Sequence, residues 1–496
     1  MRRRSFIAAG SAFAALLPHA NAARRNALEV PAKFDRKPLL KVGIVSDTHV
    51  SDRSQKEKLA MLEKVLRLFD REKVDAVMMP GDIGHGTVKS LEILAETYFR
   101  VFPGDRGGDG RKVERLFVTG NHDVDEWLYS RRKGESLEAL KARTQDTFFH
   151  FHRRETWQRL FNEPYLTCFV KEVKGYKFVL RHWPSTNLEE DHGLEPVLAK
   201  YGSALAKEQV FFFCQHEQPS ATVNTNYRLL KDGEWFSNAE TKGGAIARKL
   251  LDGYPNCISL TGHSHCPVAD ERSIWQGEFT AVNCGHMSGW AFGAPGRENG
   301  HDHDGLKAPV REMKPFNFRD VHDAVIMTVT GDAAIFRRLD VQRDAPLGRD
   351  WVVPLDVKSR HYRFDTRMEA SKPPKFAAKA KVSVSEIADG EDRAGNRHAQ
   401  VEVSFPPVTS ATGGDRAYDY SVRLEMMIGD IVRVIDEKRV YSEHFAHGEA
   451  FETEDVKCRF ARSSIPVGRK VRFVVTPYNC WLKPGEAIAS SYRRFK

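Results

Sequence analysis

Five short polar clusters hold the residues of this chain best suited to chemistry. They are Asp47-Thr48-His49, Gly81-Asp82, Gly120-Asn121-His122-Asp123, His216 inside Gln215-His216-Glu217-Gln218-Pro219, and Gly262-His263-Ser264-His265. Together they offer carboxylate, imidazole and amide oxygen. Such a mixed nitrogen and oxygen donor set suits zinc, manganese or iron, and the clusters contain no thiolate to select a softer ion. One cluster alone is a weak signal, since a lone Asp-x-His occurs in many surface turns. Five in one chain are much harder to dismiss.

The elements that must position them are legible in the residues just upstream. Each cluster closes a continuous apolar run: Leu39–Ser46, Val74–Gly81, Val113–Gly120, Gln209–Cys214 and Cys257–Gly262. Runs of that length without alternation are expected of strands buried on both faces. Between the first two runs, Leu59, Leu62, Val65, Leu66 and Phe69 recur at helical spacing, so a β-α-β unit is expected there. Every polar cluster then falls at the carboxyl end of its strand, where ligand sites of open α/β sheets form because several loops converge.

In chain order the clusters read DxH, GD, GNHD, H and GHxH, and on these blocks the sequence resembles the calcineurin-like metallophosphoesterases. The likeness covers the N-terminal two-thirds of the chain. It implies a four-layer α/β/β/α sandwich over residues 38–355 and two metal ions, divalent or of the Fe, Zn or Mn type. The first would take Asp47, His49 and His265 and the second Asn121, His216 and His263, with Asp82 bridging. It further implies hydrolysis of phosphodiesters or phosphomonoesters by a hydroxide shared between ions ~3.5 to 4 Å apart. His122 would protonate the leaving oxygen, a contribution of roughly 10² to 10⁴ in rate.

Other polar residues leave alternatives open. His85 stands where many members of that family place an Asp supporting the catalytic histidine; it either orients His122, contacts the phosphate or caps a loop. Asp123 is a partner for His122 or a structural group. Arg181 and His182 follow the apolar Phe178–Leu180 and either face the substrate side of the sheet or form an ordinary loop pair. The His301–Asp304 run HDHD reads as a solvated loop or a substrate lid, and Trp290 with Gly289 and Gly293 as pocket lining or packing. Substrate choice is expected to rest on the loops at 85–112, 181–205 and 217–245.

Beyond the catalytic unit the pattern changes. Residues 356–378, running into the Pro-Pro and Lys-rich stretch Glu369–Lys381, read as a linker. From 379 to 496 the apolar period becomes two, as in Val401, Val403 and Phe405, in Tyr418, Tyr420, Val422, Leu424 and Met426, and in Val471, Phe473 and Val475. Half-buried antiparallel strands carry that signature. A small all-β sandwich is expected, resembling fibronectin type III or immunoglobulin-like modules in length and strand rhythm.

At the other end, residues 1–22 combine three arginines, an apolar run from Phe6 to Leu17 and an Ala20-Asn21-Ala22 cleavage signal. This reads as an export signal of twin-arginine or Sec type, placing the mature protein outside the cytoplasm, most plainly in a periplasm. Removing Arg2, Arg3 and Arg4 lowers the net charge of +9 to +6. The remaining basic residues are dispersed and form no aromatic-interleaved groove, which argues against a nucleic-acid partner. With 41% hydrophobic and 29% charged residues the chain is globular in composition, and no run is long and apolar enough to span a bilayer. The expected substrate is a small-molecule, lipid or nucleotide phosphoester. A nuclease or nucleotidase is the alternative within enzymes, and a metal-binding scaffold the alternative outside them. Seven cysteines cannot all pair within a monomer; Cys458 with Cys480 is one candidate disulfide, and buried free thiols are the other reading.

Overall fold

The computed structural model describes residues 37–53, 56–184, 193–223, 227–229, 235–237, 242–291, 318–391, 396–451 and 453–496. The expected export signal at 1–22, Gly293 and the His301–Asp304 run lie outside them, as does the side chain of Trp290. Among the described residues no helix is long and apolar enough to cross a membrane.

The five apolar runs each form a strand of one of two sheets, with Glu114–Val118 at the edge of the first. Leu40–Ile44, Ala76–Pro80 and Glu114–Val118 run parallel to one another. The first also pairs antiparallel with Asp323–Val329, which begins a meander through Ala333–Asp340. In the second sheet Tyr176–Arg181, Phe211–Cys214, Cys257–Thr261 and Thr280–Asn283 are parallel, with antiparallel strands at both edges.

Burial on both faces follows from period-two geometry. Leu40, Val42, Ile44, Met78 and Leu116 meet Phe178, Leu180, Phe212, Ile258 and Leu260 in the core between the sheets. Their strand neighbours Val77, Met79 and Phe117 face outward, onto Leu62, Val65, Leu66 and Phe69 of the helix Lys56–Arg71 and Leu91, Leu94 and Tyr98 of Val88–Val101. On the far side Val179, Phe211 and Phe213 pack on the helices Leu194–Leu205 and Lys242–Leu251. The result is the α/β/β/α sandwich.

The C-terminal unit is a β-sandwich. Its smaller sheet pairs Ser383–Glu391, Arg397–Phe405 and Val456–Ala461; its larger one centres on Asp419–Ile428, flanked by Ile431–Tyr441 and Lys470–Tyr478. Val401, Val403, Phe405, Tyr420, Val422, Leu424, Val471, Phe473 and Val475 fill the space between. Cys458 lies in this core, and Cys480 packs beside a separate cluster around Phe445. None of the seven cysteines is joined in a disulfide, so the candidate bridge between Cys458 and Cys480 does not form.

Contacts between the units include the segment just past the last polar cluster and the His447 group beside Asp320 and Asp340. Arg272 is buried, pairs with Asp270 at 2.8 Å and lies 4.9 Å from the Tyr418 ring centroid. Glu271 receives Arg367 of the helix Phe364–Ala370 at 2.9 Å, and Phe364 packs on Trp481. Residues 364–370 are therefore helical and clasped by both units, where composition alone suggests a slack connector.

Candidate metal centre

The strand ends bring the seven expected ligand residues into one pocket. His49 Nε2 lies 3.1 Å from His265 Nε2, which is 3.2 Å from Asp47 Oδ1. Asp82 Oδ2 sits 3.6 Å from His49 Nε2 and 3.1 Å from His216 Nε2. His263 Nδ1 is 3.1 Å from Asn121 Oδ1, and its ring stands 4.9 Å from that of His216. Donor atoms of Asp47, His49 and His265, and likewise of Asp47, Asp82 and His216, fall within 4.8 Å of one another.

The backbone is strained to achieve this. Asp47, His49, Asp82, His263 and His265 all adopt positive φ, between 44° and 69°, a region that costs L residues about 1–3 kcal/mol each and that clusters at functional sites. Interloop hydrogen bonds hold the strained turns: the Asp47 N–H donates to Gly81 O at 3.1 Å and the His49 N–H to Asp82 O at 2.9 Å. Glycine is required twice. A Cβ on Gly81, itself at φ 95°, would sit 2.4 Å from His216 Nδ1, and one on Gly120 would sit 2.2 Å from Asp82 Oδ1.

Supporting groups fix which atom of each side chain faces inward. His216 Nδ1 lies 2.7 Å from the Pro80 carbonyl oxygen, so its N–H donates there and Nε2 is the nitrogen turned toward Asp82. Ser288 Oγ lies 3.2 Å from His265 Nδ1. Histidine ligands characteristically carry such a partner on the nitrogen away from the metal. Asp47 accepts from the His263 N–H and from Ser46 Oγ, and Asp82 from the His122 N–H at 2.8 Å.

Electrostatics fit a cation. Burial works against the charge on Asp47 and Asp82, yet His216 and its imidazole neighbours outweigh it and hold both carboxyls below their usual range. Burial drives His49 well below its ordinary value and His263 down to about 4, so both rings present lone pairs. His216 is the exception: burial opposes its charge, but Asp82 and Asp47 push it up to about 10. Two buried carboxylates thus draw a proton onto the one imidazole between them. A metal ion there would displace that proton, as ligation requires.

His122 is part of the same pocket and has a partner outside the five polar clusters. Its Nδ1 lies 2.6 Å from Glu126 Oε2. Burial lowers the His122 pKa, but the Glu126 hydrogen bond and the Asp82 charge raise it above its ordinary value overall. The sequence signal for this pairing is position, since Glu126 is four residues on in a helical segment, which places it on the same face. Asp123 does not face His122; its carboxylate accepts from the Ile83, Gly84 and Gly120 N–H groups and ties the Asp82 turn to the Asn121 turn. His85 stacks on His122, ring centroids 5.7 Å apart.

Arg181 and His182 do not open onto the pocket. Arg181 is buried at the end of its strand and donates to Gln215 Oε1 at 2.7 Å, with Glu217 at 4.0 Å. His182 Nδ1 accepts from the Thr119 N–H at 3.0 Å while its ring stacks on Tyr165. Their neighbour Trp183 does reach the centre, 5.7 Å from the His263 ring, steadied by Nε1–H donation to Asp125 at 2.8 Å. Tyr129, half-exposed and 5.4 Å from the His122 ring, stands beside Asn121. Neither aromatic stands out in the sequence, because an isolated Trp or Tyr carries no spacing signal.

Residues 40–267 match a family model described as calcineurin-like phosphoesterase. No curated protein matches the chain. Among solved structures, a dimetal phosphatase from Danio rerio aligns at 10% identity and a TM-score of 0.37, covering 64% of this chain and 100% of that one. GAP50, the anchor in the inner membrane complex of Plasmodium, aligns at 10% identity and 0.36, covering 66% and 91%. Vacuolar Protein Sorting 29 from Cryptosporidium parvum aligns at 11% and 0.27, covering 64% and 97%. Superpositions this loose carry no argument about the chemistry of this chain.

Proposed function

Because residues 40–267 belong to the calcineurin-like phosphoesterases, we propose that this chain hydrolyses phosphate esters with two metal ions held by Asp47, His49 and His265 on one side and by Asn121, His216 and His263 on the other, with Asp82 shared. The observation that carries the reading is the position of Asp82 Oδ2, within 3.6 Å of His49 Nε2 and 3.1 Å of His216 Nε2. One carboxylate serves both donor sets.

What bound ions would supply is a hydroxide nucleophile at neutral pH and Lewis acidity toward the non-bridging phosphoryl oxygens. The chain's own residues do the rest. Strained turns at Asp47, His49, Asp82, His263 and His265 hold the donors before substrate arrives, so no reorganisation is needed at the moment of reaction. His122 gives its proton to the leaving oxygen, with Glu126 fixing Nδ1–H and leaving Nε2 for the substrate. Trp183 beside His263 and Tyr129 beside His122 flank the space the substrate would enter.

The substrate is a small phosphomonoester or phosphodiester, and residues 1–22 are read as directing export on the sequence alone. A scaffold would not need seven candidate ligand residues converging, five of them in strained turns. Metal content of the purified protein, beside hydrolysis of bis-p-nitrophenyl phosphate and p-nitrophenyl phosphate, tests the reading with His263→Ala as the control. Two ions per chain and turnover lost in the variant are expected. No bound metal and no turnover after reconstitution would overturn it.

A further inference from the structure

The two central strands of the C-terminal sandwich carry their apolar residues past the end of its core. Asp419–Ile428 and Ile431–Tyr441 join through the two-residue turn Gly429-Asp430, with Ile428 opposite Ile431, Met427 opposite Val432 and Glu425 opposite Val434. Opposed residues share a face and successive ones alternate. Ile428 and Ile431 therefore project from one side of the ribbon, and Met427, Val432 and Val434 from the other. Ile428, Ile431, Val432 and Val434 are all exposed, Ile431 by 63%, at positions where a strand that meets solvent is ordinarily polar. The neighbouring strand Lys470–Tyr478 pairs with Asp419–Ile428 only as far as Val471 opposite Met426. Ile428 thus stands two residues, about 7 Å, beyond the last pair. The loop entering that neighbouring strand emerges at the same end and carries Val467, 68% exposed.

Basic side chains surround this apolar end. Arg433 lies on the ribbon and Arg469 and Lys470 on the loop, all exposed. Arg494 is opposite Lys470 in a further antiparallel pair and donates to the Gly468 carbonyl oxygen. Within residues 426–434 and 466–472, Asp430 is the one acidic side chain. Arg423 and Arg472, closer to the core, are by contrast paired with Glu425 at 3.5 and 2.9 Å.

We propose that this end of the C-terminal sandwich docks the protein on an anionic lipid surface. Ile428, Ile431, Val432 and Val467 enter the boundary between headgroups and acyl chains, and Arg433, Arg469, Lys470 and Arg494 meet the lipid phosphates. Two features select a bilayer over a second copy of this chain. Apolar side chains on both faces of a projecting ribbon are covered by a fluid that surrounds it, whereas a rigid partner covers one face. In a symmetric pair the same patch meets itself, so the basic side chains would face their own copies, while anionic headgroups attract them. The projection also matches the depth of about 5–10 Å at which interfacial amphipathic segments sit. This surface belongs to the C-terminal unit and is independent of the two-metal reading.

The test is cosedimentation of the full chain with vesicles of phosphatidylglycerol and phosphatidylethanolamine in equal parts, beside vesicles of phosphatidylcholine alone. The native chain should bind the anionic vesicles, less so as salt is raised, and leave the neutral ones largely unbound. Ile431→Ser should weaken the partition by roughly 10-fold, the order expected when one branched aliphatic side chain no longer leaves water. Arg469→Gln together with Lys470→Gln should weaken it by roughly 25-fold, at about 5-fold for each charge. Val467→Ser, on the separate loop, should act in the same direction as Ile431→Ser and keeps the test independent of the hairpin's own folding. All these residues are exposed, so each variant should keep the native Tm. No binding to anionic vesicles by the folded chain, equal binding to both vesicle types, or binding unchanged by the Ile431 and Val467 variants would overturn the inference. So would a dimer in sedimentation velocity that Ile431→Ser dissolves while vesicles are left unbound, which would assign the ribbon to a second copy instead.

Discussion

Replacing Glu126 by Gln keeps the shape and an acceptor for His122 Nδ1–H but removes the charge. A hydrogen bond to a charged group contributes about 1.5–3 kcal/mol, which corresponds to about 10- to 150-fold in rate if it is all expressed in the transition state. The pair is partly solvated, with side chains 35% and 18% exposed, so the lower part of that range, about 10- to 50-fold, is expected. His122→Ala sets the ceiling at roughly 10² to 10⁴. Both losses should appear with an alkyl leaving group, which must be protonated, and nearly vanish with p-nitrophenolate, which departs without help. Steady-state kcat on the two esters, for each single variant and the double, decides the matter. The double variant should be no slower than His122→Ala, because Glu126 acts through His122. Equal losses on both esters, or losses that multiply in the double variant, would refute the assignment, provided metal content is unchanged throughout.

Asp82→Asn should reduce both metal equivalents and turnover together, read by elemental analysis; a variant that lost only one ion would show that Asp82 is not shared. Chelation of the native protein should lower its stability by about 2.7 kcal/mol for each ion otherwise present at 100 times its Kd, visible as a Tm that depends on free metal. Arg272→Ala leaves Asp270 buried without its partner and should cost about 3–5 kcal/mol in denaturant unfolding; a loss under 1 kcal/mol would mean the clasp between the units is slack. His447 lies between Asp320 at 3.3 Å and Asp340 at 3.6 Å. Burial lowers its pKa, but those carboxylates raise it to about 9. A raised histidine contributes fully below its unfolded value near 6.5 and loses that contribution as pH climbs through about 9. The Tm difference between the native chain and His447→Gln should accordingly be largest near pH 6 and shrink toward pH 10; a difference that stayed constant would exclude the charge as its cause.

The candidate ligand residues are legible in the amino-acid sequence because their signal is local. An apolar run ending in Asp, Asn or His identifies both a strand and the residue at its mouth, and five such runs in one chain imply convergence, since parallel strands share a carboxyl edge. The period-two sandwich follows from patterning of the same local kind, whereas the α/β/β/α layering is what the resemblance carried by the five clusters implies. Three things required the tertiary structure. Glu126 becomes the partner of His122 only because the Asn121–Val124 and Glu126–Tyr129 turns continue on one face. Arg181 and His182 turn inward because Gln215 and the Thr119 amide receive them, partners 34 and 63 residues away. The clasp of Arg272 on Tyr418 joins residues from the two units, and no pattern in either segment announces the other. Periodicity reports what a side chain faces, solvent or core, because the repeat of a strand or helix is a property of neighbouring residues. Which partner it meets there depends on how distant elements pack, and that is decided only when the whole chain has folded.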